Sequence, residues 1–131
     1  MNEQKIIPRK IWWGLEAKSY TEIAQQLPSR DGQLRTWVAI YAVYLLDFEN
    51  RYPGVRYFKF LEDAKNSNYV AIEFSIPIHI LETRDSVDAS DATIKYCQHL
   101  ETEEQINRFL QDKHLDPELF TAPWNCDYPL D

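Results

Sequence analysis

Three aspartates recur at three-residue steps in the stretch "TRDSVDASDATIK", with small residues between them. They are Asp85, Asp88 and Asp91. A calcium loop places its ligands two residues apart and includes a glycine, and this stretch has neither feature. Carboxylates at three-residue steps repel one another unless a cation or a basic partner neutralises them. The stretch is therefore interpreted as a solvated acidic loop, a surface that recognises a basic protein, or a metal site.

His79 is the residue best suited to acid–base chemistry, together with a carboxylate such as Glu73 or Glu82. His99 and His114 are isolated, and no HxH or HExxH motif supports a zinc site. The chain also has no GxSxG motif and no glycine-rich phosphate loop. We therefore expect no catalytic residue, no metal and no cofactor. A small hydrolase or isomerase with a His79-centred site remains the alternative.

Composition indicates one folded domain over residues 1–131. An apolar fraction of 44% is too high for a disordered chain, despite the net charge of −7. No stretch approaches the ~20 apolar residues of a membrane helix, and the first residues lack the apolar region of a secretory signal. We expect a cytoplasmic protein in which Cys97 and Cys126, distant in the sequence, are both reduced.

The charge is divided unevenly along the chain. Residues 1–65 contain ten Lys and Arg against eight Asp and Glu, whereas residues 66–131 contain four against thirteen. An acidic surface repels nucleic acids and membrane surfaces and attracts basic proteins. Trp12 and Trp13, beside Arg9 and Lys10, are therefore interpreted as core and core-edge residues rather than as a nucleic-acid-stacking site.

Two helices are predicted in the first half of the chain. Ser19 and Glu22 have the spacing of a capping box, which predicts a short helix over 19–27. Apolar residues at three- and four-residue steps predict a long central helix over 34–50. The same segment is rich in β-branched and aromatic residues, so a buried strand is the alternative there.

Strands dominate the prediction from residue 55 onward. Residues 55–61 and 69–81 are predicted to form a hairpin, in which Pro77 confines the second strand to an edge or a bulge. Residues 93–100 are a candidate third strand. Thr102 and Gln105 predict a capped helix, residues 116–120 a short helical turn, and the C-terminal tail is expected to pack on the body. The expected fold class is α+β, with a small antiparallel sheet of about three or more strands packed with about three to four helices.

In its size, its interleaved aromatic residues and its acidic stretches "TRDSVDASDATIK" and "ETEE", the chain resembles in type the immunity proteins of bacterial contact-dependent inhibition and related polymorphic toxin systems. The resemblance implies stoichiometric neutralisation of a cognate toxin. A nuclease toxin must attract phosphate, so its active site is basic, and an acidic surface would cover it.

On this hypothesis the partner is a basic protein, neither a nucleic acid nor a membrane, and the chain is a monomer or a weak dimer. The predicted partner-binding residues are six acids and two aromatic anchors, namely Asp85, Asp88, Asp91, Glu101, Glu103, Glu104, Tyr96 and Trp124. An adaptor subunit of a larger assembly, dimerised through the 69–81 strand, is a further alternative.

Overall fold

A four-stranded antiparallel sheet forms the centre of the protein in a computed structural model that describes residues 5–28, 31–48, 58–85 and 87–130. In sheet order the strands are β1 (Glu22–Leu27), β2 (Leu34–Tyr41), β3 (Tyr69–Pro77) and β4 (Thr93–Leu100). The α-helices of the described residues are α1 (Arg9–Glu16), α2 (Lys59–Asp63), α3 (Ile78–Thr83) and α4 (Glu103–Asp112). The expected α+β class, with its small antiparallel sheet and three to four helices, is confirmed.

Both faces of the sheet are covered by other elements. On one face, here called the helical face, Trp12 of α1 and Leu110 of α4 share a core with Ile40 of β2. On the other, here called the tail face, Phe60 of α2 and Leu130 near the C-terminus share a core with residues of β2 and β3. The last five residues of β2 and the first four of β3 are buried on both sides, so these stretches lack a clean alternation of apolar and polar residues.

The two helices predicted in the first half are wrong. Residues 34–41 are β2, so the alternative of a buried strand is confirmed there, and residues 43–45 form a 3₁₀ turn. Residues 22–27 are β1, which pairs with β2 along its whole length. Ser19 lies in the turn that ends α1, where its N–H donates to the carbonyl of Gly14 at 2.9 Å. Tertiary contacts therefore override the capping box that the sequence predicts for Ser19 and Glu22.

The predicted hairpin between 55–61 and 69–81 is also wrong where the structure describes it. Residues 55–57 lie outside the described residues, residues 59–63 form α2, and β3 pairs with β2 on one side and β4 on the other. The strand with Pro77 is thus central rather than an edge. Pro77 is tolerated because it is the last residue of β3 and the residue preceding α3.

Residues 78–81, predicted as part of the 69–81 strand, belong to α3, whereas the elements predicted from residue 93 onward are confirmed. Residues 93–100 form β4, and α4 begins after Thr102, whose hydroxyl accepts the N–H of Gln105 at 3.1 Å. The side-chain amide oxygen of Gln105 accepts from the N–H of Glu101 at 2.8 Å. In a capping box it would instead accept from the N–H of Thr102. Residues 117–119 form a 3₁₀ turn. The tail packs on the sheet, where the carbonyl of Cys126 accepts the indole N–H of Trp37 at 2.8 Å.

Candidate functional site

The six acids predicted to bind a partner form two groups at opposite ends of β4. Asp85, Asp88 and Asp91 precede the strand, and the glutamates at 101, 103 and 104 follow it. A strand of 8 residues is about 26 Å long at ~3.3 Å per residue. The single acidic surface expected from the sequence is therefore two acidic groups separated by the length of β4.

Within the first group, Asp91 has a structural role. Its two carboxylate oxygens accept from Nη1 of Arg84 at 2.8 and 3.0 Å, and one of them also accepts the N–H of Asp88 at 3.0 Å. The side chain of Asp91 is only 12% exposed. The three-residue spacing of Asp88 and Asp91 thus closes a turn, which is a known use of such carboxylates. Asp85 and Asp88 remain exposed to solvent.

The second group also divides into paired and exposed acids. Glu103 forms an ion pair with Arg9, which ties α4 to α1 and raises the pKa of the Arg9 guanidinium through their hydrogen bond. Glu104 lies 3.5 Å from Arg108 on the surface of α4, where such a pair contributes little. Glu101 is exposed and accepts the N–H of Asn68 at 3.3 Å. Asp88 and Glu101 are thus exposed acids that bracket β4 and form no ion pair with another described residue.

The two predicted aromatic anchors lie at opposite edges of the sheet. Tyr96, on β4, is half-buried against Phe109 with ring centroids 5.5 Å apart, and Nζ of Lys113 lies 4.9 Å from its ring centroid. Trp124 is 66% exposed and packs edge-on against Tyr20, beside β1. Four strands spaced ~4.8 Å apart separate the two edges by about 14 Å. The structure therefore does not bring the two anchors together.

The hydroxyl of Tyr96 is buried and forms no hydrogen bond of good geometry with another described residue. Burial raises the pKa of this hydroxyl, and the neighbouring carboxylate of Glu73 raises the pKa further. Glu73 in turn lies 3.6 Å from Nζ of Lys95. The side chains of Glu73, Lys95 and Tyr96 therefore lie together on the helical face, where Glu73 pairs with Lys95.

The structure does not assemble the alternative acid–base site around His79. His79 is exposed on α3, which packs through Ile80 and Leu81 against the tail-face core. Glu73 is directed to the opposite face, beside Tyr96. Glu82 shares α3 with His79, and no hydrogen bond joins the two side chains. Cys97 and Cys126 are free thiols, and burial raises the pKa of Cys126 to about 11, so this thiol is protonated at neutral pH.

β4 is an accessible edge strand. It pairs with β3 on one side, and no described residue pairs with its other side. Of its residues, Tyr96 is half-buried, Leu100 is buried and the rest are exposed. An edge strand presents unpaired main-chain N–H and C=O groups that can hydrogen-bond to another extended chain. The open edge and the exposed acids at its two ends together form the candidate site.

Sequence reasoning missed a concave site on the tail face. Here Arg35 and Trp37 of β2 lie together with Arg84, Asp85 and residues 127–129 of the tail. One signal was present: Arg35 follows Leu34 and precedes the apolar residues of β2, and an arginine at the beginning of a buried strand requires an outlet to solvent. The remaining members come from distant parts of the chain and only the fold brings them together.

The described residues contain no group of three or more His, Cys, Asp or Glu side chains placed to bind a metal ion. Among them, no helix has both the length and the apolar character needed to cross a membrane. No protein-family model matches the chain, and neither the curated proteins nor the solved structures include one with significant similarity to it.

Proposed function

We propose that this protein is a stoichiometric inhibitor of the immunity type, which binds a basic toxin domain at the open edge of β4. The observation that supports this proposal is the combination of an unpaired edge strand with exposed acids of the same sign at both ends, Asp88 before it and Glu101 after it. Main-chain hydrogen bonds to an added strand provide affinity, and the charges at its ends provide selectivity.

The charge pattern disfavours pairing between two copies of this chain. If two β4 strands paired in antiparallel orientation, Asp88 of one copy would approach Glu101 of the other. Parallel pairing would bring each acid next to its own counterpart. Like charges opposite one another destabilise strand pairs, so either arrangement is penalised. A strand flanked by Lys or Arg would instead meet opposite charges at both ends.

A nuclease toxin fits this requirement well. Its active site must attract the phosphates of its substrate and is therefore basic. Carboxylates at the two ends of β4 would occupy positions that phosphates otherwise take, and the body of the inhibitor would exclude the nucleic acid. Complementary charge raises the association rate constant, to ~10⁸ M⁻¹s⁻¹ or above at low salt.

The test needs a candidate partner, which the proposal expects to be the basic C-terminal domain of a large secreted protein encoded next to this gene. The association rate constant is measured at low and at physiological salt for the wild type and for the double variant Asp88→Lys/Glu101→Lys. We expect this variant to associate about tenfold more slowly at low salt and to lose most of the salt dependence.

The matched control is Glu16→Lys/Glu118→Lys, which changes the net charge equally at two exposed positions outside β4. It should reduce the rate far less. Equal loss in both variants would mean that only the net charge matters, and the β4 interface would then be rejected. A wild-type protein that neither binds nor neutralises the neighbouring toxin domain would refute the proposed function itself.

A further inference from the structure

A groove on the tail face lies over the beginning of β2, between the segment that follows α3 and the C-terminal tail. Its volume is about 330 Å³. This is near the lower end of the range of ~300–1,000 Å³ that small-molecule sites occupy. Its polar residues and its apolar residues each indicate what kind of ligand fits.

Two guanidinium groups line the groove and are only partly used. Arg35 is exposed and forms no hydrogen bond or ion pair with another described residue. Arg84 donates to Asp91 through Nη1 alone, so its Nη2 and Nε are not engaged by described residues. A guanidinium group offers five N–H donors in a planar fork that matches a carboxylate. The groove therefore has cationic donors that the protein itself leaves available.

The floor of the groove is aromatic and has its own polar atoms satisfied. The indole N–H of Trp37 donates to the carbonyl of Cys126 at 2.8 Å, and the hydroxyl oxygens of Tyr128 and Tyr41 lie 2.5 Å apart. Trp37 is only 1% exposed, so the accessible aromatic carbon surface is that of Tyr128. Leu81, Val87 and Pro129 complete the apolar lining. A flat hydrocarbon body would bury apolar area against this surface.

Two carboxylates, those of Asp85 and Asp127, also line the groove. Neither forms an ion pair with Arg35 or Arg84, so the arginines are not neutralised by them. Their negative charge, with that of Asp91 on Arg84, offsets part of the attraction of the two guanidinium groups. The attraction that is left grows in proportion to the charge of the ligand, whereas the cost of removing the ligand from water grows as the square of its charge. The electrostatics thus favour a ligand with a single negative charge over a phosphate monoester.

We propose that this groove binds a small monoanionic carboxylate with an aromatic body. The carboxylate lies between Arg35 and Arg84, and the ring lies against Tyr128 and Pro129. This binding activity is independent of the proposed function, because the groove faces the tail side of the sheet and requires no pairing with β4.

The test is a titration of ¹⁵N-labelled protein with 3-phenylpropanoate, followed by NMR. Two further probes share its ring: the neutral 3-phenylpropanamide and the dianionic phenyl phosphate. We expect saturable shifts confined to the groove, including the indole signal of Trp37, and binding of the carboxylate about tenfold tighter than of the amide. Phenyl phosphate should bind more weakly than the carboxylate.

The variant Arg35→Gln removes the charge at an exposed position and should weaken binding of 3-phenylpropanoate about tenfold. The matched control is Arg108→Gln. Arg108 lies on α4, which covers the helical face, so this variant should leave binding unchanged. Unchanged signals outside the groove would show that both variants fold. Any one of four results would overturn the proposal. They are equal affinity for the acid and the amide, tighter binding of phenyl phosphate than of the acid, equal loss of binding in both variants, and no saturable shift up to the solubility limit.

Discussion

The two edges of the sheet differ in what covers them. At the β1 edge, Ala24 and Thr121 exchange both main-chain hydrogen bonds at 3.0 Å, and the side-chain amide of Gln25 donates to the carbonyl of Asp116 at 2.9 Å. Four consecutive residues of β1 are buried. At the β4 edge, no described residue makes a comparable contact, and Leu100 alone is buried.

The difference indicates that the open edge is protected by its sequence instead of by a covering segment. A β-bulge interrupts the register of β4 opposite Glu73 and Phe74, and Lys95 lies at this irregularity. Bulges, lysines and flanking charges are recognised ways of preventing unwanted strand pairing. The C-terminal segment covers β1 completely enough that such devices are unnecessary there. β4 is therefore the edge at which we propose that a selected partner adds.

The largest effect is expected from a change at the covered edge. Phe120 precedes Thr121, is 2% exposed and belongs to the helical-face core. Phe120→Ala should lower the free energy of unfolding by about 3–5 kcal/mol, because it leaves a cavity and releases the segment that pairs with β1. Ile94→Ala on β4, where the side chain is 40% exposed, should cost less than ~0.5 kcal/mol. Urea unfolding measures both, and equal losses would contradict the comparison.

Alkaline pH should lower the stability of the protein, in part through the tyrosine pair that joins the tail to the sheet. Burial raises the pKa of Tyr41 well above its ordinary value of 10.0 and raises that of Tyr128 as well. Above pH 10 the unfolded tyrosines lose their protons while the folded ones retain them, so stability is complete below pH 10 and declines as the pH rises. Each tyrosine contributes a slope of up to about 1.4 kcal/mol per pH unit.

The variant Tyr128→Phe tests this assignment. It should cost about 1 kcal/mol at pH 8 through the lost hydrogen bond with Tyr41. Above pH 10 its free energy of unfolding should fall less steeply than that of the wild type. Chemical unfolding at several pH values from 8 to above 11 gives both quantities, and parallel profiles would exclude Tyr128 as a contributor.

Removing the charges around β4 should promote self-association. The triple variant Asp88→Asn/Glu101→Gln/Lys95→Val removes the like-charge repulsion and the central lysine of the strand. We expect the dimer of this variant to be about tenfold more stable than any dimer of the wild type, with the monomer fold unchanged. Sedimentation velocity over a concentration series is the measurement. The control Glu16→Gln/Glu118→Gln, outside β4, should behave like the wild type.

The smallest effects are expected from changes just after the C-terminal ends of α1 and α4. Lys18 follows α1 with φ of 63°, and His114 follows α4 with φ of 57°. Each occupies the left-handed position of a helix C-terminus that usually contains glycine. Lys18→Gly and His114→Gly should each raise the free energy of unfolding by about 0.5–1 kcal/mol. Lys113→Gly, at a neighbouring residue with φ of −89°, should not stabilise the protein.

The elements predicted correctly are those determined by local interactions. The Thr102 side chain caps α4 within three residues, and Asp116 caps the following turn by accepting the N–H of Glu118 at 3.0 Å. The mispredicted elements, β1 and β2, depend on partners distant in the chain. The apolar residues of β2 suit a helix buried on several sides or a strand buried on both faces, and periodicity alone does not separate the two. Pairing with β1 and β3 decides in favour of the strand.

The candidate site was predictable to a similar extent. Six acidic residues of the second half are predicted from the sequence to be partner-binding groups at the surface. In the structure four of the six are exposed, namely Asp85, Asp88, Glu101 and Glu104. It did not follow from the sequence that Asp91 and Glu103 are engaged by Arg84 and Arg9. An ion pair between residues 9 and 103 depends on the packing of two helices, which no local pattern encodes.

The sequence by itself determined the net charge of −7, its concentration in the second half and the capped helix after Thr102. Only the tertiary structure decided which strand edge is covered, that the acids lie in two groups, and that Arg35 and Tyr128 line one groove. The physical reason is that charge and helix capping depend on neighbouring residues. Strand pairing instead satisfies its main-chain hydrogen bonds with whichever distant segment the packing of the core brings alongside.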